Sequence, residues 1–201
     1  MTPPKAVLFD LGKVLVDFDW TLAARRIAPK CGLSIPGLLG KVLRSPLLHR
    51  YERGLITTRQ FFNEFQQLLG YADGFEAFAA DFSDIFTGIP EMIALHGRIH
   101  QTGIPTFIFS NTNELAVQHI RAHFPFFKDF QGYLLSYELK VMKPEPGIYE
   151  AAERLSGLAG PDLLYIDDLE VNTAAGAARR WRVITHVSPQ ATIAEVERML
   201  F

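Results

Sequence analysis

Four polar clusters carry residue types that do chemistry. Asp10, Ser110-Asn111-Thr112, Lys143-Pro144 and Asp167-Asp168 follow the apolar runs Ala6-Val7-Leu8-Phe9, Thr106-Phe107-Ile108-Phe109, Tyr133-Leu134-Leu135 and Leu163-Leu164-Tyr165-Ile166. Two adjacent carboxylates repel unless a cation or a proton intervenes, so Asp167-Asp168 points to a metal. Together with Asp10 the pair offers hard oxygens, which suit Mg²⁺ while it keeps several waters. The Ser110 hydroxyl and the Asn111 amide suit the oxygens of an anion. Lys143 precedes Pro144, which biases it toward extended backbone, and an extended lysine beside carboxylates braces them and neutralises anionic charge. Each residue taken alone has a plainer use. Asp10 closes a turn, one of the aspartate pair or Ser110 caps a helix, and Lys143 is a surface lysine.

The elements that must position these groups are legible in the periodicity. Ala6 to Phe9 is apolar without alternation, as in a strand buried on both faces of a parallel sheet, and open α/β sheets place ligands at the carboxyl ends of such strands. From Pro90 onward helices and strands alternate. The pattern predicts helices over 90–101, 114–124, 146–155, 171–180 and 192–200, and strands over 104–109, 132–135, 163–166 and 182–186. Between about Trp20 and Phe86 the periodicity is helical with no convincing strand. Phe61, Phe62, Phe65, Leu68 and Leu69 share one face of a helix capped by Thr57 or Thr58, and Phe75, Phe78, Phe82 and Phe86 form a second aromatic stripe that reads as packing surface.

In order and in separation the four clusters resemble the motifs of the haloacid dehalogenase-like hydrolase superfamily, over nearly the whole chain. The resemblance implies an α/β fold, with a Rossmann-like doubly wound parallel sheet as core (residues 1–16 and 88–201) and an inserted helical-bundle cap (17–87). It implies a Mg²⁺-dependent phosphatase that hydrolyses small phosphate monoesters through an aspartyl-phosphate. Asp10 is then the nucleophile, Lys143 its neutralising partner, Ser110, Asn111 and Lys143 the phosphoryl-binding groups, and Asp10, the Gly12 carbonyl, Asp167 and Asp168 the metal ligands. Asn172 falls just outside that set.

One departure bears on substrate. Phosphatases of this superfamily usually carry a second aspartate two residues after the nucleophile as general acid and base, and here that position is Gly12. Loss of a general acid costs about 10²–10⁴-fold on esters with poor leaving groups. The run FDLGKVLVDFD resembles the helical-cap branch that contains bacterial α-D-glucose-1-phosphate phosphatase, which also has glycine there, and this favours sugar 1-phosphates or other activated esters. Asp17 and Asp19 are alternative donors near the cap hinge. Two other readings stand beside the phosphatase: a metal-independent hydrolytic haloacid dehalogenase, whose branch usually lacks the acidic pair, and a catalytically weak relative that binds phosphorylated ligands.

The totals narrow the remaining possibilities. With 201 residues, 48% of them hydrophobic, the chain suits one α/β domain with a modest insertion and an ample core. A formal charge of −2 offers no general field for nucleic acid or anionic membrane, so any anion selectivity must be local, and the partner that the resemblance implies is a small phosphorylated metabolite. Cys31 is the single cysteine and the amino-terminal stretch lacks the long apolar core of a signal peptide, so a reducing cytoplasm is the expected compartment. His96 with His100, and His119 with His123, have zinc-compatible spacing without a third ligand. Arg25, Arg44, Arg50 and Arg53 are candidate substrate selectors in the cap. The sequence sets no oligomeric state.

Overall fold

The computed structural model describes residues 2–200. In chain order, β1 (Ala6–Phe9) and β2 (Val16–Phe18) lead into five helices, α1 (Trp20–Lys30), α2 (Ile35–Arg44), α3 (Leu47–Glu52), α4 (Thr58–Leu69) and α5 (Phe75–Ser83), which β3 (Phe86–Gly88) closes. The alternating part follows as α6 (Pro90–Gln101), β4 (Thr106–Ser110), α7 (Glu114–His123), β5 (Gly132–Leu135), α8 (Ser136–Leu139), α9 (Pro146–Ser156), β6 (Leu163–Asp167), α10 (Glu170–Ala178), β7 (Arg182–Thr185) and α11 (Pro189–Leu200).

Five strands form a parallel sheet in the order β5-β4-β1-β6-β7. The central strand is apolar throughout because both of its faces are covered, as the uninterrupted run required. Val7 and Phe9 pack toward Met92, Leu95 and Ile99 of α6, Val117 of α7 and Val196 of α11. Ala6 and Leu8 face the other way, toward Ile148, Tyr149 and Ala152 of α9 and Trp181. Helices thus cover both faces, and the sheet is the expected doubly wound one.

The inserted helices have a core of their own, built on Ile27, Leu38, Tyr51, Phe61, Phe65, Phe78 and Phe82. Phe78 is fully buried, with ring centroids 4.8 Å from Phe65 and 5.2 Å from Phe62. Helix α4 starts in a capping box, in which the Thr57 side chain accepts from the Gln60 N–H and the Gln60 side chain accepts from the Thr57 N–H. Thr57, not Thr58, is therefore the cap.

Three elements differ from the sequence expectation. Phe86, read as the end of the α5 aromatic stripe, lies in β3 and pairs with Phe18 of β2, because the helix stops at Ser83. This two-stranded antiparallel ribbon is three residues long on each side, too short to show an alternation. Strand β4 begins at Thr106, since Pro105 has no N–H to give the ladder. The four-residue α8 was also not foreseen. Among the described residues no helix is long and apolar enough to cross a membrane.

Candidate active site

The register of the central strands assembles the site. Phe9 lies beside Ile108 of β4 and Ile166 of β6, so the parallel strands bring Asp10, Ser110 and Asp167 to the same carboxyl edge. The strand order turns back there, with β4 on one side of β1 and β6 on the other, which is the crevice where such sheets bind ligands.

Lys143 arrives from the β5–α9 connection and is held by Asn111. The Asn111 Oδ1 accepts from the Lys143 N–H at 2.8 Å and its Nδ2 donates to the Lys143 carbonyl at 2.9 Å. The expected role of the Asn111 amide as an anion ligand is thereby modified, because its oxygen and one of its N–H groups are spent on Lys143. The peptide between Lys143 and Pro144 is cis. The Lys143 ammonium, buried, donates to the Phe109 carbonyl at 2.7 Å and to Asp167 Oδ2 at 2.6 Å, and lies 3.1 Å from Asp10 Oδ1. Burial disfavours its charge, but Asp10 and Asp167 outweigh this and hold its pKa above the usual lysine value.

The three aspartates differ in what they have left to offer. Asp167 has no exposure and is saturated. Its Oδ2 accepts from Lys143 and from the Tyr165 hydroxyl, and its Oδ1 accepts from the Leu169 N–H at 2.8 Å and from Asn172 Nδ2 at 3.0 Å. Burial pushes its pKa up, but Lys143 and these hydrogen bonds pull it below the usual value. Asp10 accepts the Leu11 N–H at 2.7 Å and faces Lys143 through the same oxygen, Oδ1. Burial, aided by the Asp167 charge and opposed by Lys143, pushes Asp10 up to about 7. Asp168 is half-buried, and burial with the neighbouring Asp167 raises its pKa.

One oxygen from each of Asp10, Asp167 and Asp168 lies within 4.8 Å of the others. Three carboxyl groups share one ammonium, and burial above all, with the Asp167 charge added, keeps Asp10 raised despite Lys143. This donor set, all hard oxygens, fits Mg²⁺.

Beside this cluster a cavity of about 100 Å³ opens between the strand ends and the inserted helices, lined by Gly12, Phe18, Ser110, Asn111, Thr112 and Glu52 among others. The Ser110 hydroxyl has only a long 3.5 Å contact with the Asn111 carbonyl and remains available. Gly12 has no side chain to offer, and Phe18 stands where one would be: a Cβ there would meet its ring at 3.0 Å.

Other candidates go elsewhere. Asp17 is exposed and paired with Lys13, and Asp19 caps α1 through the Thr21 N–H at 2.8 Å. Hydrogen bonding to Lys13 and to Thr21, respectively, holds both below the usual aspartate value. His96 is buried against Phe130 and bonded to Thr106, and His123 bonds the His119 carbonyl. Arg50 pairs with Glu64 and Arg53 with Glu145. Among the described residues, Asp10, Asp167 and Asp168 are the one group of three or more His, Cys, Asp or Glu side chains that could hold an ion.

Two supporting residues were not read from the sequence. Tyr165 sits within an apolar run, and its i, i+2 relation to Asp167, which puts both on one face of β6, is the signal that marks it. Glu52 carries no local signal at all.

A sequence model described as haloacid dehalogenase-like hydrolase matches residues 4–179. The chain belongs to that family. Its fold is also that of a haloacid dehalogenase-family enzyme from Bacteroides thetaiotaomicron, solved in complex with magnesium and inorganic phosphate. The two share 24% identity with a TM-score of 0.81, over 90% of this chain and 93% of that one. A predicted hydrolase of the same family from Porphyromonas gingivalis is 18% identical with a TM-score of 0.83, over 98% and 99% of the two chains. An L-2-haloacid dehalogenase from Xanthobacter autotrophicus is 18% identical with a TM-score of 0.63, over 97% and 83%. This haloacid dehalogenase-like chain is accordingly a hydrolase with the α/β fold of that family.

Proposed function

We propose that this hydrolase is a Mg²⁺-dependent phosphatase of small phosphate monoesters. The observation that carries the reading is the convergence of Asp10, Asp167 and Asp168 within 4.8 Å beside the Lys143 ammonium. The magnesium and phosphate bound by the Bacteroides enzyme of like fold agree with it.

Asp10, Asp168 and the Gly12 carbonyl would hold the ion, while Asp167, whose oxygens already accept four hydrogen bonds, adds its charge beside it and holds Lys143. Bound there, Mg²⁺ supplies charge neutralisation on phosphoryl oxygens and lets a dianion approach a carboxylate. The second oxygen of Asp10, which accepts no hydrogen bond, attacks phosphorus. The ester P–O bond breaks, water then displaces the Asp10 oxygen from phosphorus, and phosphate leaves. Lys143, fixed by Phe109, Asp167 and Asn111, keeps Asp10 oriented and offsets its charge. Ser110 and the backbone beside it receive the phosphoryl oxygens, while Asn111 acts through Lys143. Residues 17–87 form the cap that closes over the strand ends, excludes water and selects the alcohol. With Gly12 in place of a carboxyl side chain, sugar 1-phosphates and other activated esters are the favoured class.

The test is p-nitrophenyl phosphate hydrolysis with Mg²⁺, with chelator, and by Asp10→Asn. Chelator-sensitive turnover abolished by the substitution is expected. Chelator-insensitive chloride release from a 2-haloacid would favour dehalogenation, and phosphate-ligand binding without turnover a binding role. Glycerol phosphate hydrolysed as fast as glucose 1-phosphate would refute the substrate class.

A further inference from the structure

An ester oxygen that leaves phosphorus as an alkoxide needs a proton, and Phe18 fills the space where a side chain at position 12 would stand. Lys143 is committed to three acceptors, Asp167 is saturated, Asp17 pairs with Lys13 at the surface, and Asp19 is a helix cap. Among the described residues, Glu52, the last of α3, is the one titratable residue that lines the cavity shared by Gly12, Ser110 and Asn111.

Its position is enforced from both sides. The Glu52 carbonyl accepts the Ser136 hydroxyl at 2.6 Å, and the same Ser136 oxygen accepts the Thr112 N–H at 2.9 Å, two residues beyond Ser110. The preceding Tyr51 hydroxyl accepts the Leu115 N–H at 3.1 Å, and the following Arg53 binds Glu145. Gly54, at φ +69°, lets the chain pass so close to the core that a Cβ would stand 2.0 Å from the Tyr137 carbonyl oxygen. The backbone of Glu52 is thus stapled to the strand-end loops. The neighbouring arginines are both engaged, Arg50 with Glu64 and Arg53 with Glu145, and the Glu52 carboxyl makes no ion pair among the described residues. Burial without a cation pushes it up to about 7, where it keeps a proton to give.

We propose that Glu52, delivered by the helical insertion, is the proton donor to the leaving group. The proposal rests on the phosphatase reading, and a donor outside position 12 lessens the handicap of Gly12 on unactivated esters while leaving activated ones the faster class. As the Asp10–phosphorus bond forms and the ester P–O bond breaks, the departing oxygen takes the Glu52 proton and leaves as an alcohol. The Glu52 carboxylate then takes a proton from the water that displaces Asp10, which restores the acid with one water consumed. The donor stands on the inserted unit and the nucleophile on the sheet, so the cycle is complete only with the two packed together.

The experiment compares Glu52→Gln with wild type on p-nitrophenyl phosphate, whose leaving group departs without a proton, and on glycerol phosphate, whose leaving group needs one. Glutamine keeps the shape, and turnover of p-nitrophenyl phosphate reports that the variant is folded. The expected result is a loss of kcat/KM of about 10²–10³-fold on glycerol phosphate with less than about tenfold on p-nitrophenyl phosphate. Equal losses on both substrates would mark a structural residue and overturn the proposal, as would an undiminished rate on glycerol phosphate. So would a wild type that hydrolyses only p-nitrophenyl phosphate. Absence of Mg²⁺-dependent turnover by the wild type would instead refute the phosphatase reading itself.

Discussion

Replacing Asp10 with asparagine should stabilise the metal-free protein, by an amount that grows with pH. Burial and the Asp167 charge hold Asp10 at about 7 in the folded chain against 3.8 for an ordinary aspartate, despite Lys143 at 3.1 Å. At about 1.36 kcal/mol per pH unit, that difference amounts to about 4 kcal/mol. The sign follows from which state holds the proton. Between about pH 4 and 7 the folded chain keeps a proton that the unfolded chain has released, so stability falls as pH rises and levels off above 7. Asparagine has the same shape and cannot ionise, so it escapes that loss. In chelator the advantage of Asp10→Asn should be under about 2 kcal/mol at pH 5 and about 4 kcal/mol at pH 8. For a chain of this size the latter corresponds to about 8–16 °C in Tm. Thermal unfolding of both proteins at the two pH values measures it, and saturating Mg²⁺ should restore the wild type while moving the variant little. A variant no more stable than wild type at pH 8, or an offset independent of pH, would refute the account of Asp10 as a carboxyl that burial holds protonated in the metal-free chain.

Three further outcomes follow from the geometry. Asp168→Asn should abolish the Mg²⁺-induced stabilisation that the wild type shows, about 2.7 kcal/mol at a concentration a hundredfold above Kd, as read by thermal shift against Mg²⁺. Asn111→Ala removes both hydrogen bonds that fix the Lys143 backbone and should cost about 1–3 kcal/mol in urea unfolding, with a lower kcat at unchanged Mg²⁺ affinity. Phe78→Ala, at the fully buried centre of the inserted bundle, should cost about 3–5 kcal/mol and expose that bundle to limited proteolysis before the sheet.

Periodicity and motif order determined much of this protein. The doubly wound sheet and the clustering of Asp10, Lys143, Asp167 and Asp168 follow from apolar runs that end in polar residues, and the helical insertion from apolar residues spaced three and four apart. A strand buried on both faces has few alternatives, and parallel neighbours necessarily bring their carboxyl ends to one edge. What those residues spend their hydrogen bonds on was not legible in that way. Asn111 turned to Lys143, a pairing across 32 residues that only the fold brings together, while the hydrogen bonds of Tyr165 and Asn172 to Asp167 are local in sequence but depend on which way β6 and the start of α10 aim their side chains. Glu52 shows the limit most clearly. In the sequence it is one more glutamate in a polar helix end, and only the packing of α3 onto the strand-end loops, with both neighbouring arginines already paired, sets Glu52 in the lining of the cavity beside Gly12 with no ion pair among the described residues.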